Sequence, residues 1–126
     1  MRNPHPLTRM TLLVPAPKTD DEVRLVDDLI GELVDVCGGV TFSTKSPPSI
    51  FGSWLDDQGV QQDDDLMLII ADAPFSLAAE STVDAWLDWI EDLKLWCQES
   101  FNQDVIWITL TSTARVTAFD YQKTRP

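Results

Sequence analysis

Apolar and polar positions alternate along this chain with two periods, and the switches between them mark out six elements. Thr8 to Val14 (TRMTLLV) reads as a strand that stops at Pro15 and Pro17, residues that cannot sustain a ladder. Apolar residues then recur with helical spacing at Val23, Val26, Ile30, Leu33, Val34 and Cys37. Thr19 or Asp20 supplies the N-cap of this helix, and Asp20, Asp21 and Glu22 place negative charge on its positive dipole end. Gly38 and Gly39 end it, because glycine takes the left-handed C-cap conformation freely, and Val40 to Ser43 follows as a short β-branched strand.

From Thr44 to Gln62 the chain is rich in Pro, Ser, Gly, Asp and Gln but carries Phe51 and Trp54, which reads as an ordered loop or wide hairpin with strand character near Ser53 to Leu55. Asp65 to Asp72 (DLMLIIAD) is a continuous apolar run between acids. Such a run suits a central strand covered on both faces, or covered on one face with an oligomer on the other. Thr82 caps a second helix that runs to about Asn102, and Val105 to Thr111 (VIWITLT) closes the pattern as a strand. The order βαββαβ predicts an α+β ferredoxin-like fold, a four-stranded antiparallel sheet with both helices on one face.

On the second helix Val83, Trp86, Leu87, Ile90, Leu93, Cys97 and Phe101 form the stripe expected to face the sheet. Trp89 and Trp96 share one flank of it, and Asp84, Asp88, Glu91, Asp92 and Glu99 fill the opposite side. Leu25, Leu29 and Val36 hold the matching flank of the first helix. The two flanks face one another in this topology, so Trp89 and Trp96 are expected to pack there. The competing reading is an exposed tryptophan patch that binds a partner, because Trp is enriched in interface hot spots. Alternation through the last strand puts Val105 and Trp107 on one face and Ile106, Ile108 and Leu110 on the other, so the sheet needs cover on both sides. That cover comes from a second copy or from the 44–62 loop.

The length of 126 residues suits one domain, with short basic tails at about 1–7 and 113–126. Charge is divided unevenly: residues 20–104 hold twenty of the twenty-one acids and three strong bases, a net of −17 within a chain of net charge −12. An acidic body of this kind repels nucleic acid and anionic membrane and favours a basic protein partner or plain solubility. No apolar run reaches the roughly 20 residues that span a bilayer, and the N-terminal segment lacks a signal-peptide core, so a cytoplasmic location is expected.

Chemistry is sparse. Cys37 and Cys97 are too far apart for metal-ligand spacing, and both are expected as reduced, buried core residues. His5, the one histidine, lies between Pro4 and Pro6, where an extended and mobile conformation is expected. The acids Asp56, Asp57, Asp63, Asp64 and Asp65 lack the calcium-loop pattern and read as a solvated turn, so no metal is assigned. No nucleophile elbow, activating histidine or phosphate-binding loop accompanies the hydroxyls, and no catalytic residue or cofactor is assigned either. An enzyme using carboxylates alone stays open.

One set of segments goes further: Gly38-Gly39-Val40-Thr41, Gly52-Ser53-Trp54, the acids before the Asp65 run, and Phe101-Asn102-Gln103-Asp104-Val105. In this order, over residues 38–107, they resemble a bacterial family of small ferredoxin-like proteins known as a domain of unknown function. That family likewise has a glycine-threonine strand start, a G-x-W segment, an acid and an F-x-Q-x-x-V element. The resemblance implies the fold and no established active site. Three functions are therefore weighed: a non-catalytic protein-interaction module, either a homo-oligomer or an adaptor to a basic partner; an acidic inhibitor or nucleic-acid mimic; and a small enzyme or ligand binder at a Thr41, Trp54 and Gln103 end of the sheet. The interaction residues expected are Trp54, Trp89, Trp96, Trp107, Asp84, Asp88, Glu91 and Asp92.

Overall fold

The computed structural model describes residues 5–43, 50–55, 57–103 and 105–115. Seven elements follow in order: β1 (His5–Pro15), α1 (Asp20–Cys37), β2 (Thr41–Phe42), β3 (Ile50–Leu55), β4 (Gln61–Ala73), α2 (Glu80–Ser100) and β5 (Trp107–Arg115). The sheet order is β2-β4-β1-β5, with every neighbouring pair antiparallel. Because β1 occupies one side of β4, β2 and β3 share the other: β2 pairs with Ile69 and Ile70, and β3 with Gln61 to Leu66. The second strand of the βαββαβ pattern is thus filled by two pieces. Ser43 marks the break, its amide donating to the Leu68 carbonyl at 2.9 Å while the Leu68 amide donates to the Ser43 hydroxyl oxygen at 2.9 Å. A side chain takes over from the backbone as the chain leaves the ladder.

Helix α1 starts and stops where local chemistry dictates. The Thr19 hydroxyl oxygen accepts from the Glu22 amide at 3.2 Å, and Gly38 adopts φ 84°, its amide donating to the Val34 carbonyl. The N-cap of helix α2 is Ala79, three residues before the expected Thr82, and it makes no side-chain cap. The turn from Ser76, closed by the Ala79 amide on the Ser76 carbonyl at 3.0 Å, already orients the chain there.

One face of the sheet meets both helices. Met10, Leu12 and Val14 of β1 and Met67, Ile69, Ala71 and Ala73 of β4 are buried against Val26, Leu29 and Leu33 of α1 and Ile90, Leu93 and Cys97 of α2. Thr8, fully buried in this layer, donates its hydroxyl to the Phe75 carbonyl at 2.7 Å, so its own desolvation is compensated. Two stripe residues fall outside the core: Val34 is 42% and Leu87 40% exposed, whereas Leu29, expected on the flank, is 1% exposed. The buried side of each helix is thus shifted from the stripe toward the flank that carries Leu29 on α1 and Trp89 on α2.

The tail boundaries shift as well. Residues 5–7 and 113–115 are not tails but strand, with His5 opposite Arg115 and Leu7 opposite Thr113, since β1 and β5 supply each other's ladder partners. His5 is accordingly held in a strand. The outer parts of both expected tails, residues 1–4 and 116–126, lie outside the described residues. Among the described residues, no helix is long and apolar enough to cross a membrane.

Candidate interaction surfaces

The register places three rows side by side on the sheet face away from the helices. Trp107, Leu13 and Leu68 form the first row, Thr109, Thr11, Ile70 and Thr41 the second, and Thr111, Arg9 and Asp72 the third. Pro15 extends the face on the apolar side, where its partner Leu66 is buried at 6% exposure. One end of this open face is therefore apolar and the other polar, the latter closed by a two-pronged ion pair from Arg9 to Asp72 at 2.8 and 3.1 Å. Trp107 is 48% exposed, and Leu13, Leu68 and Ile70 are half-buried. Among the described residues no second layer lies over this face. The 44–62 segment does not fold across it in its described part: Ile50 to Leu55 lengthens the sheet edge instead.

The opposite side of the molecule carries a groove of about 560 Å³ between α1 and α2. Leu29 and Leu93 form its floor, Trp89 and Trp96 its α2 wall, and Asp28, Glu32 and Asp92 its rim. Neither ring hangs free. Trp89 meets Trp86 edge-on at 5.7 Å, Trp86 stacks on Phe75 at 5.0 Å, and Trp96 meets Phe101 edge-on at 6.1 Å. The two flanks face each other as expected, but the helices leave a cleft between them instead of closing on it.

Asp84, Asp88, Glu91 and Asp92 are all exposed on α2, where Lys94 pairs with Glu91 at 2.7 Å. Trp54 sits on β3 opposite Gln62; its side chain lies outside the described residues. Thr41 pairs with Ile70, eight residues along β4 from Gln62, which is about 26 Å of strand. Thr41 and Trp54 thus do not share one end of the sheet, because the broken edge strand spreads them along β4. Gln103 is half-buried in the α2–β5 connection, its amide donating to the Gln98 carbonyl at 2.9 Å.

Strand geometry also disperses the acids. Asp63 accepts from Gln61 Nε2 at 3.0 Å and Ser53 Oγ at 2.6 Å, and these bonds hold its carboxyl below the usual range. Asp65 lies 4.0 Å from Lys18, and Asp56 is outside the described residues. Among the described residues no group of three or more His, Cys, Asp or Glu side chains could hold a metal ion. Both cysteines are free thiols. Cys97 is fully buried, and desolvation pushes its pKa up to about 12. Cys37 is only half-buried, not fully as expected; desolvation, and then the Asp72 carboxylate, push it up to about 11. Neither is a reactive thiolate near neutral pH.

Sequence reasoning found the aromatic half of the groove but not Asp28 and Glu32, whose role depends on how α1 is rolled. It found Trp107 but not its row partners Leu13 and Leu68. The signal for those was the unbroken apolar run in β4 and the adjacent Leu12 and Leu13 in β1, which load both faces of the sheet.

Topology, register and helix placement define a small α+β protein of ferredoxin-like fold. Solved structures agree. CutA1 from Oryza sativa superimposes with a TM-score of 0.53 at 19% identity, covering 94% of this chain and 88% of that one. The divalent cation tolerance protein (Cut A1) from Thermus thermophilus superimposes with a TM-score of 0.54 at 13% identity, covering 94% and 92%. At such identities the likeness shows the fold alone. No family model and no curated protein matches the sequence, so the resemblance to the uncharacterised bacterial family finds no support beyond the fold.

Proposed function

We propose that this protein works through protein contacts, as a homo-oligomer built on the open face of its sheet. The observation that carries this reading is the row Trp107, Leu13 and Leu68, with Pro15 beside it, left without a second layer among the described residues. A half-exposed Trp flanked by leucines on a flat sheet is the composition of an interface core. The polar end, where Arg9 and Asp72 satisfy each other, then serves as a rim. Light scattering at micromolar concentration should give a mass above the 14.2 kDa of one chain. A monomer mass across a hundredfold dilution range overturns the reading.

A second reading, an adaptor or mimic that meets a basic partner through charge, is supported by the exposed Asp84, Asp88, Glu91 and Asp92. It requires a complex that weakens as salt rises through the physiological range and on replacing Asp88 and Glu91 by Gln. Partner binding indifferent to both removes it. The third reading, an enzyme or ligand site at one sheet end, is disfavoured by the register, which sets Thr41 and Trp54 eight residues apart along β4.

A further inference from the structure

We infer that the α1–α2 groove is a docking site for a basic peptide segment of a partner protein, one that lays arginine side chains over Trp89 and Trp96 and sets their guanidinium groups against Asp28, Glu32 and Asp92. This surface lies on the helix side of the sheet, so the inference does not rest on self-association through the open face.

Three observations converge on that occupant. The first is space: about 560 Å³ lies within the range of ligand clefts, above a floor of Leu29 and Leu93, which are 1% and 6% exposed. The second is preorganisation. Trp89 and Trp96 stand seven residues apart on α2, two turns or about 10 Å, and each is braced edge-on by another aromatic ring. Their exposed faces are held in place before anything binds, so little side-chain entropy is lost on contact. The third is charge. Asp28 and Glu32 lie one turn apart on α1, Asp92 faces them from α2, and among the described residues none of the three makes an ion pair. Three unmatched carboxylates around an aromatic cleft complement a cation with an apolar stem. Arginine fits better than lysine, because its planar guanidinium stacks on indole and still offers edge N–H groups to carboxylates. Two arginines three residues apart in a polyproline II segment, which has three residues per turn, share one face and span about 9 Å, close to the separation of the two rings.

The test uses the full chain and an acetylated, amidated decapeptide with Arg-Leu-Ala-Arg at its centre, titrated by calorimetry and by the indole N–H signals of the five tryptophans. Binding is expected to shift the Trp89 and Trp96 signals and leave Trp107 unmoved. A peptide with Lys at both positions should bind about threefold more weakly, and one with Gln should not bind measurably. Trp96→Leu keeps an apolar group and removes the ring face, and should weaken binding about fivefold. The pair Asp28→Asn and Glu32→Gln should do the same. The pair Asp20→Asn and Asp57→Asn makes the same change of charge away from the groove and should shift affinity less than twofold. Circular dichroism checks that each variant is folded. If the groove variants bind within twofold of wild type, or the distant pair weakens binding as much as the groove pair, the groove is not the site and the proposal fails.

Discussion

Replacing Trp107 with Thr isolates the apolar area at the centre of the open face. Threonine keeps the β-branched character that suits strand β5 and matches Thr109 and Thr111 on the same face, so the ladder is preserved. A Trp side chain presents roughly 150–250 Å². With 48% of it exposed, each copy offers about 100 Å² of ring to a partner, equivalent to about 2.5 kcal/mol at 25 cal/mol per Å². In a twofold contact the ring counts twice, giving an upper bound of about 5 kcal/mol. Association recovers only part of such area terms, so a loss of about 2–4 kcal/mol, or 30- to 1,000-fold in Kd, is expected. Sedimentation velocity across a dilution series reads the shift directly. Leu95→Thr is the control: Leu95 is 51% exposed on the acidic side of α2, and its replacement should leave Kd within about twofold. If the Trp107 variant keeps the wild-type mass at every dilution, or if the Leu95 variant weakens association equally, the open face is not the contact.

Thr8→Val removes the donor to the Phe75 carbonyl inside the core and should lower stability by about 1–2 kcal/mol in urea unfolding; no change would mean that the carbonyl finds another donor. Gly38→Ala should cost about 1–2 kcal/mol and Gly39→Ala nothing or a slight gain, because a Cβ meets no atom within 4 Å at either site but only Gly38 has positive φ; equal effects would refute the conformational argument. Thiol labelling of the native protein should be slow at pH 7 and quicken about tenfold per pH unit up to pH 10, as the thiolate fraction of Cys37 grows; rapid stoichiometric labelling at pH 7 would contradict the raised pKa. The same shifts act on stability. Both folded-state pKa values lie above the ordinary 9.0, so the stabilisation is complete below pH 9 and declines as pH rises through 9 to 12, which urea midpoints across that range should show.

What the sequence made legible tracks how local the cause is. Helix α1 was readable to its ends because a Thr19 hydroxyl and a Gly38 backbone act within one turn. The order of elements followed from periodicity alone. Strand β3 was only hinted at, since Gly52, Ser53 and the facing Asp63 and Asp64 are poor strand formers; the β4 ladder and the Ser53–Asp63 hydrogen bond hold it in place across the hairpin. The roll of the helices was not legible either. A 3.6-residue period marks a stripe but not its centre, and in the folded protein that centre lies nearer Leu29 than Val34 and away from Leu87. Asp28 and Glu32 became groove residues through that same rotation.

The divided edge of β4 has a consequence for how the molecule opens. Beyond Leu66, β1 no longer pairs with β4; the Ala16 amide reaches the Asp65 carbonyl at 2.9 Å, and from Asp64 to Gln61 the ladder on β4 is shared with β3 alone. Leu55 and Val60, near the tip, are 69% and 54% exposed, so little apolar area anchors that end. A two-stranded ribbon is marginal in water, whereas the centre of the sheet is braced on both sides. Amide protons of the ribbon should therefore exchange through small local fluctuations, while those between β1 and the upper half of β4 wait for global unfolding. One continuous strand of thirteen residues thus belongs to two cooperative units, with the seam falling near Asp65.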